Sequence, residues 1–240
     1  MIKLEHTAVY GWDAAIRGMR NPMNSWDKSD SGMNMVVQGG DYIPEYPEFE
    51  FAVGKNDLKL MKSLSKAGDD HGKFLRMINV TVDITAPLYW WKEFDTYKVG
   101  TVANSCSTMH KLTEKEFELD DFSHDHLTPG SLDNVLIPLI TILNSAREAY
   151  LNFDEYNEKD PEGWDEGITC KKDIWWQMIQ TLPTSYNQKR TVQLNYQVLK
   201  AMYFARRNHK LDEWHEFCKW CESLPYFREV VIQDGIVENN

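Results

Sequence analysis

The sequence predicts an α+β fold in which a central, mostly antiparallel sheet is packed by helices within a single domain spanning residues 1–240. Three observations support this prediction. Strand-like alternation of apolar and polar residues occurs in the first 84 residues, and helical spacing of apolar residues dominates from residue 131 onward. No repeat, low-complexity tract or clean linker divides the 240 residues, and a chain of this length buries a sizeable core.

The first part of the chain alternates strands and helices. Residues 2–9 alternate apolar and polar side chains, which is typical of a strand, and residues 11–20 predict a short helix. After a polar loop, residues 47–53 predict a second strand. The next helix has both of its boundary signals, because Asn56 is expected to cap it and Gly68 to stop it.

The clearest strand is predicted at 76–84, with the sequence RMINVTVDI. Its alternate apolar residues share one face: Ile78, Val80, Val82 and Ile84. A single apolar face indicates a sheet covered by helices on one side and facing a more polar environment on the other. We expect Thr85 to cap the helix that follows and Pro87 to occupy its first turn.

The second half of the chain is mainly helical by its apolar spacing. Residues 131–153 predict a long helix that Pro138 is expected to kink. Further helices are predicted at 172–181 and at 191–223, the latter broken near Asn208. The segment REVVIQ predicts a last strand.

Composition and charge exclude several classes of function. The formal net charge of -11 argues against bulk nucleic-acid binding, although a local basic cleft would still hold a small anion. No segment approaches the ~20 apolar residues that cross a bilayer, and the N-terminus lacks a secretory signal, so we expect a cytoplasmic protein. Acidic loop insertions at about 111–130 and 153–168 would suit recognition of a basic partner surface.

The cysteines favour a reduced protein over a disulfide scaffold, since there are only four: Cys106, Cys170, Cys218 and Cys221. The last two form a CxxC pair within a helical pattern, with no second pair to complete a zinc site. We interpret them as two thiols on one helical face. The SHDH stretch at 123–126 has metal-ligand residue types but no third ligand nearby, so we expect no metal.

An aromatic helix start and a hydroxyl-rich tail follow the 76–84 strand, in ITAPLYWWKEFDTYKVGTVANSCSTMH. With its strand, Thr-Ala-Pro step and aromatic helix, this segment resembles the flavin-dependent thymidylate synthases of the ThyX family. That family carries the signature R-H-R-x-x-S-x-N-E-x-S-x-R, which holds flavin and deoxyuridine monophosphate (dUMP). Alignment at Ala86 and Pro87 without gaps places the signature on 96–108.

The Arg-His-Arg element of the signature is replaced by Thr96, Tyr97 and Lys98. By the resemblance, Lys98 supplies a positive charge at the third position, although it acts as a point charge and lacks the arginine fork. The alternative for Lys98 is a surface lysine after a helix. Loss of the two arginines weakens the expectation of tight FAD binding.

The rest of the signature keeps hydroxyl and amide groups. Thr101 stands at the first serine, Cys106 at the second and Thr108 at the final arginine. A slip of one residue would bring Asn104 and Ser107 onto the asparagine and serine of the family. These side chains offer donors for a phosphate or a pyrimidine edge, but such residues also end helices and build turns.

A second part of the sequence also resembles the ThyX family. Leu182-Pro183 leads without gaps to Asn195 and then to Arg206. By the resemblance, Asn195 matches an asparagine that contacts the flavin, and Arg206 matches the arginine that grips the nucleotide. Arginine suits the second role because its guanidinium binds phosphate with two parallel hydrogen bonds. The alternative for Arg206 and Arg207 is a solvated helix face.

Two histidines complete the candidates for cofactor contacts. His71 lies before the 76–84 strand at about the distance where the family has a Gly-His motif. His209 is next to Lys210, which stands where the family has a histidine. No catalytic residue is assigned.

The resemblance implies a one-carbon transfer to a pyrimidine deoxynucleotide such as dUMP. Methylenetetrahydrofolate and NADPH would be co-substrates, and reduced FAD would carry the hydride chemistry. The resemblance also implies a homotetramer with sites built between subunits. Two alternatives remain open: a non-catalytic homologue that binds a nucleotide or a protein partner in the same cleft, and a changed one-carbon or nucleotide-modifying activity without flavin.

Overall fold

The computed structural model describes residues 2–35, 49–107, 112–160 and 162–233. Its strands are β1 (Lys3–Tyr10), β2 (Gly32–Met35), β3 (Phe49–Ala52), β4 (Asn79–Pro87), β5 (Val102–Ser105) and β6 (Asn187–Asn195). Four strands form one sheet in the order β1-β4-β6-β5, and β2 pairs with β3 in an antiparallel ribbon. The predicted α+β class and mostly antiparallel sheet are confirmed.

The α-helices are α1 (Trp12–Arg20), α2 (Lys55–Lys66), α3 (Leu88–Phe94), α4 (Pro129–Ser131), α5 (Ile137–Leu151), α6 (Phe153–Lys159), α7 (Lys171–Thr181), α8 (Tyr196–Arg206) and α9 (Asp212–Ser223). Two π-helical segments, Leu132–Leu136 and Arg228–Ile232, and short 3-10 turns complete the described secondary structure. Among the helices of the described ranges, none is long and apolar enough to span a membrane.

The Cα atoms cluster into two compact units, and segments of the two units alternate along the chain. The first unit contains Met1–Lys3, Ile84–Thr96 and Asn104–Thr191. The second contains Leu4–Asp83, Tyr97–Ala103 and Val192–Asn240. Because each unit needs three separate segments, the sequence is not divided into successive domains.

The single apolar face predicted for β4 is confirmed by burial. The side chains of Val80, Val82 and Ile84, and of Ile78 just before the strand, are at most 1% exposed, whereas the intervening polar residues are half-buried. The predicted cap of the next helix is wrong. Thr85 lies inside β4, and the N–H groups of Leu88 and Tyr89 donate instead to backbone carbonyls across the first unit, with both bonds 3.0 Å long. Pro87 precedes α3 as its N-cap residue.

The start of α2 also differs from its prediction. Asn56 lies inside the helix, and its N–H donates to the carboxylate of Asp30 at 2.9 Å. The N–H of Asp57 donates to the same carboxylate at 3.1 Å. The cap therefore comes from a loop 26 residues upstream, which local sequence does not reveal. Gly68 stops the helix as predicted, with a φ of 109° that favours glycine.

A buried ion pair joins α1 to α2 in the second unit. Arg20 Nε donates to Asp57 Oδ1 at 2.6 Å, and the side chains are 5% and 0% exposed. The other carboxylate oxygen accepts hydrogen bonds from the hydroxyls of Ser29 and Ser31, each at 2.7 Å. Arg20 also donates to two backbone carbonyls of the intervening loop. This network satisfies both buried charges and fixes residues 25–31 against the two helices.

The long helix predicted at 131–153 is present but irregular. A π-helical segment precedes Pro138, which lies in the first turn of α5, and α5 packs against α7. Proline has no N–H to donate back along the helix, so an irregular turn at this point has a local cause. The helix predicted at 172–181 is confirmed as α7.

The two acidic segments are more structured than plain solvated loops. Leu112, Phe117 and Phe122 are buried in the core of the first unit with Leu136 and Leu143 of the irregular helix. Phe122 also forms an isolated antiparallel bridge with Tyr186. The other acidic segment begins with α6, Phe153–Lys159.

Two predictions near the C-terminus are wrong. Residues 191–195 belong to β6, because the buried side chains of Val192 and Leu194 alternate with more exposed ones. The REVVIQ segment forms a π-helical turn, in which Val230 and Val231 are both buried and which packs against α2. Its β-branched residues favour a strand, but packing overrides that preference. The predicted break near Asn208 is confirmed, between α8 and α9.

Candidate functional site

Helix α8 carries the strongest candidates, and two segments of the same unit lie against it. One is the turn at 97–101: a Cβ added at Gly100 would lie 3.1 Å from Val198 and 3.2 Å from Asn195. The other is the stretch at 69–76, whose 3-10 turn packs against α8. Lys200 Nζ of α8 lies 3.3 Å from a carboxylate oxygen of Asp69 in this stretch. The second unit thereby brings most of the candidates around one helix.

Arg206, the last residue of α8, is held by aromatic groups. Its Nε donates to the hydroxyl of Tyr97 at 2.9 Å. Its guanidinium carbon lies 4.9 Å from the ring centroid of Trp214 and 5.5 Å from that of Tyr97. Trp214 itself is fully buried. Contacts of this kind fix the plane of the guanidinium, which matters for binding an anion through two nitrogens.

The surroundings of Arg206 include His209 as well. The His209 ring lies 6.4 Å from the Trp214 ring, edge to face, and its Nδ1 accepts the N–H of Leu211 at 3.2 Å. The backbone N–H of His209 also donates to the carbonyl of Arg206 at 2.9 Å. His209 is therefore beside Arg206 in the turn that ends α8. By contrast, the neighbouring Arg207 is exposed and lies over Phe204, 5.2 Å from its ring centroid.

Asn195 lies at the opposite end of α8 and acts as its N-cap. Its side-chain oxygen accepts the N–H of Val198 at 3.1 Å. The N–H of Tyr196 donates to the carbonyl of Ile78 at 3.0 Å. Two of the N–H groups that a helix start offers to a ligand are thus used within the protein.

The remaining candidates of this unit differ in exposure. Lys98 is exposed in the turn between Tyr97 and Gly100, and His71 is exposed before the 3-10 turn Gly72–Arg76. The Thr101 hydroxyl is buried, and it has no hydrogen-bond partner among the described residues. A buried hydroxyl without a partner costs about 1–3 kcal/mol, so a ligand group that bonds it would recover that free energy.

Asp69 helps to fix the stretch that carries His71. Hydrogen bonds from Gln197 and from Lys200 lower the pKa of the Asp69 carboxyl group. Both donors belong to α8, so this carboxylate ties the stretch to the helix in its charged form. The stretch and the 97–101 turn are therefore both anchored to α8 by named contacts.

Two solved structures of the flavin-dependent thymidylate synthase ThyX from Helicobacter pylori resemble this chain, and both are complexes with FAD and dUMP. The TM-score is 0.59 for each, over 97% of this chain and 98% or 97% of theirs. The chain has the ThyX fold. Sequence identities are only 17% and 16%, so the likeness establishes the fold alone. No protein-family model and no curated protein matches the sequence.

Asn104 and Ser107 belong to the other unit of this ThyX fold. Asn104 is exposed in β5, and Ser107 is half-buried just after it. Between them, the N–H of Cys106 donates to the carbonyl of Lys189 at 2.9 Å, and the Gln188 amide donates to the Cys106 carbonyl at 3.0 Å. These contacts attach the strand end to β6. Thr108 lies outside the described residues.

Sequence reasoning missed the residues that hold Arg206. In the sequence, Tyr97 is noted only as the residue that replaces the histidine of the family signature. In the structure, its hydroxyl accepts a hydrogen bond from Arg206, 109 positions away in the sequence. Trp214 is one of nine tryptophans, and nothing in its local sequence distinguishes it. The helix break between Arg206 and Trp214 removes any helical spacing that could have related the two residues in the sequence.

The CxxC pair in α9 is structural. Cys218 and Cys221 are both buried, and burial raises the pKa of both thiols, that of Cys218 to about 11. Thiols of this kind are poor metal ligands and poor nucleophiles. The part of the chain that the structure describes contains no group of three or more His, Cys, Asp or Glu side chains placed to hold a metal ion.

Proposed function

We propose that this protein binds a pyrimidine deoxynucleotide such as dUMP, with Arg206 at the nucleotide phosphate. The observation that carries this proposal is the guanidinium of Arg206, held by Tyr97 and Trp214 at the end of α8. It is supported by the ThyX fold, whose two solved examples above are complexes with dUMP.

The aromatic support explains how one arginine would hold a doubly charged group. Stacking on Trp214 and the Nε bond to Tyr97 restrict the guanidinium before any ligand arrives. Less side-chain entropy is then lost on binding, because an immobilised side chain otherwise costs about 0.5–1.5 kcal/mol. Lys98 would add a second positive charge in the turn that contains Tyr97.

The residues present fit FAD in part. The buried Thr101 hydroxyl is a polar atom that a ligand could satisfy, and Lys98 and His71 are exposed on segments that pack along α8. Asn195 fits less well, because its oxygen already caps α8. We therefore assign FAD contacts to Thr101 and His71 before Asn195, and Lys98 stays assigned to the nucleotide phosphate.

The activity we propose for this site is one-carbon transfer to dUMP from methylenetetrahydrofolate. Bound, reduced FAD would supply the hydride, and NADPH would keep it reduced. The work of this chain would be to bind the nucleotide phosphate at Arg206. In the other unit, Asn104 and Ser107 stay candidates for substrate contacts on the basis of the sequence resemblance alone.

A second candidate function is nucleotide binding without catalysis. The observation that favours it is the commitment of Asn195 to helix capping, together with a tyrosine and a lysine in place of His-Arg in the signature. Such a protein would use Arg206 in the same way but would not retain a flavin. The acidic segments at about 111–130 and 153–168 would then suit a basic protein partner.

We also propose that the protein forms a homotetramer. The irregular helix at 129–151 exposes an apolar stripe, with Val135 64% and Ile142 59% exposed and Pro138 between them. These positions are spaced by three and four residues, so they share one face of a helix. A contiguous apolar stripe of this kind is typical of a protein–protein interface.

Calorimetric titration with dUMP tests the nucleotide proposal. Arg206→Ala should weaken binding by about 2–5 kcal/mol, since it removes one partner of a charge-assisted pair. Arg206→Lys should recover only part of that loss, because an ammonium group lacks the fork geometry. Arg207→Ala is the matched control and should bind like the parent. Equal binding by the parent and a folded Arg206→Ala variant would refute the assignment.

A second experiment separates the two candidate functions. Purified protein is incubated with FAD, desalted and examined by absorbance. Retained flavin absorbance, decreased in Thr101→Val, supports the one-carbon transferase. Colourless protein that still binds dUMP supports the non-catalytic candidate.

A further inference from the structure

A large cavity lies in the second unit, away from Arg206. Its volume is about 880 Å³, and it opens partly to solvent. Its walls come from β1, the start of α1, the β2–β3 ribbon, the end of α9 and the segment at 223–229. None of the candidate nucleotide-binding residues lines it. The volume is in the range of about 300–1,000 Å³ that is typical of small-molecule sites.

The charged residues that the structure describes in this cavity have one sign. Among the described residues that line it, the charged ones are Glu50 and Glu229, and neither lysine, arginine nor histidine is present. Both glutamates are exposed. An anionic ligand would be repelled here, and a cation would be attracted.

The apolar part of the lining is aromatic and fixed in orientation. Trp12 packs edge to face against Tyr196 and Tyr226, with ring centroids 5.5 and 5.4 Å apart. The Trp220 indole N–H donates to the hydroxyl of Thr7 at 3.0 Å, which orients this ring, and both residues line the cavity. Aromatic faces attract ammonium and guanidinium groups by about 0.5–2 kcal/mol.

Tyr226 adds a strained position to this wall. Its φ of 55° lies in the left-handed region, which costs a non-glycine residue about 1–3 kcal/mol. The side chain of Tyr226 is held by the N–H of Val53, which donates to its hydroxyl at 3.1 Å. Strained residues of this kind are concentrated at ligand sites. The strained residue Tyr226, the aromatic side chains and the two glutamates therefore all line one cavity.

We propose that this cavity binds an organic cation, that is, a primary amine or a guanidinium attached to an apolar body. The carboxylates of Glu50 and Glu229 would face the charge, and Trp12, Phe51, Trp220 and Tyr226 would pack on the apolar part. This site is independent of the nucleotide at Arg206.

The test compares two probes of similar shape and opposite charge. Tryptamine should bind with a Kd that weakens as salt increases, whereas indole-3-propionate should not bind. The double variant Glu50→Gln with Glu229→Gln should bind tryptamine about tenfold more weakly, and each single variant should show part of that effect. Glu166→Gln, an exposed change in the other unit, is the charge-matched control.

The source of the cation is tested by two further probes, spermidine and a blocked tripeptide that contains one lysine. Tighter binding of spermidine indicates a free amine, and tighter binding of the tripeptide indicates a protein side chain. Equal binding of tryptamine and indole-3-propionate, no binding of any amine at millimolar concentration, or no effect of the double variant would overturn the proposal. Binding of dUMP, measured in the same variants, should not change.

Discussion

Tyr97 accepts a 2.9 Å hydrogen bond from Arg206 Nε, although 109 positions of sequence separate the two residues. Both side chains also contact Trp214, with ring centroids of Tyr97 and Trp214 6.3 Å apart. The Tyr97 hydroxyl thus orients Arg206, the residue that we propose binds the phosphate. This relationship can be tested by removing a single oxygen atom.

Tyr97→Phe should weaken dUMP binding by about 1.5–3 kcal/mol, because it removes a hydrogen bond to a charged group but retains the ring. The measurement is a calorimetric Kd, with circular dichroism to verify folding. Tyr97→Leu, which also removes the ring contact, should bind more weakly still. A parent-like Kd for Tyr97→Phe would mean that the hydroxyl has no positioning role.

Asp57→Ala should reduce the free energy of unfolding by about 3–5 kcal/mol, because it leaves the buried guanidinium of Arg20 without its counter-charge. Chemical denaturation measures the free energy of unfolding of both proteins. The control is Asp13→Ala, which removes an exposed i,i+4 pair with Arg17 and should cost less than about 0.5 kcal/mol. Similar losses for the two variants would contradict the argument.

The same network should make stability depend on pH in acid. Burial alone raises the pKa of Asp57, but hydrogen bonds from Ser31, Ser29 and Arg20 together lower it below the ordinary value of 3.8. The unfolded chain therefore takes up this proton more readily than the folded protein. The contribution of Asp57 should be complete above the ordinary carboxyl pKa and should disappear as the pH falls through the lower, folded value. The difference in unfolding free energy between the parent and Asp57→Asn should narrow over that acidic range, and a constant difference would contradict the prediction.

Thiol reactivity should divide the four cysteines into two pairs. Cys106 and Cys170 are exposed, whereas Cys218 and Cys221 are buried and have raised pKa values. With an aromatic disulfide reagent near neutral pH, about two thiols per chain should react quickly in the native protein, and four should react after unfolding. Rapid reaction of all four in the native protein would mean that α9 opens readily.

The exposed apolar stripe should control assembly. Ile142→Glu should shift the protein to a smaller species in light scattering, because a charge in an apolar interface is costly to desolvate. Gln177→Glu, at an exposed position of α7, adds the same charge and should leave the assembly unchanged. A monomeric parent at micromolar concentration would refute the homotetramer.

Local patterns predicted the strand β4 well, since its alternation of apolar and polar residues coincides with its burial. They failed where distant residues decide the outcome. The cap of α2 comes from Asp30, and Val230 and Val231 form a helical turn because they pack against α2. For β6, the polar residues at its start hid the alternation that buries Val192 and Leu194.

In the candidate site, too, the sequence predicts what depends on local spacing and misses what depends on distant residues. Through the family resemblance, the spacing from Leu182 to Arg206 predicts a phosphate-binding arginine, and the structure places Arg206 in a defined aromatic environment. Sequence reasoning could not find Trp214, because its contact with Arg206 depends on how the chain turns between α8 and α9. The sequence resemblance predicts a flavin contact for Asn195, whereas in the structure the side chain of Asn195 caps α8.

The alternation of the two units along the chain has a consequence for synthesis on the ribosome. The second unit contains Leu4–Asp83 but also needs residues after Val192, including α8 and α9. At about 5–20 residues per second, the N-terminal part waits roughly 5–30 s for those helices to emerge. During that time β4 lacks the neighbouring strand β6, which lies next to it in the sheet. We therefore expect the nascent chain of this protein to depend on chaperones that shield exposed apolar strands.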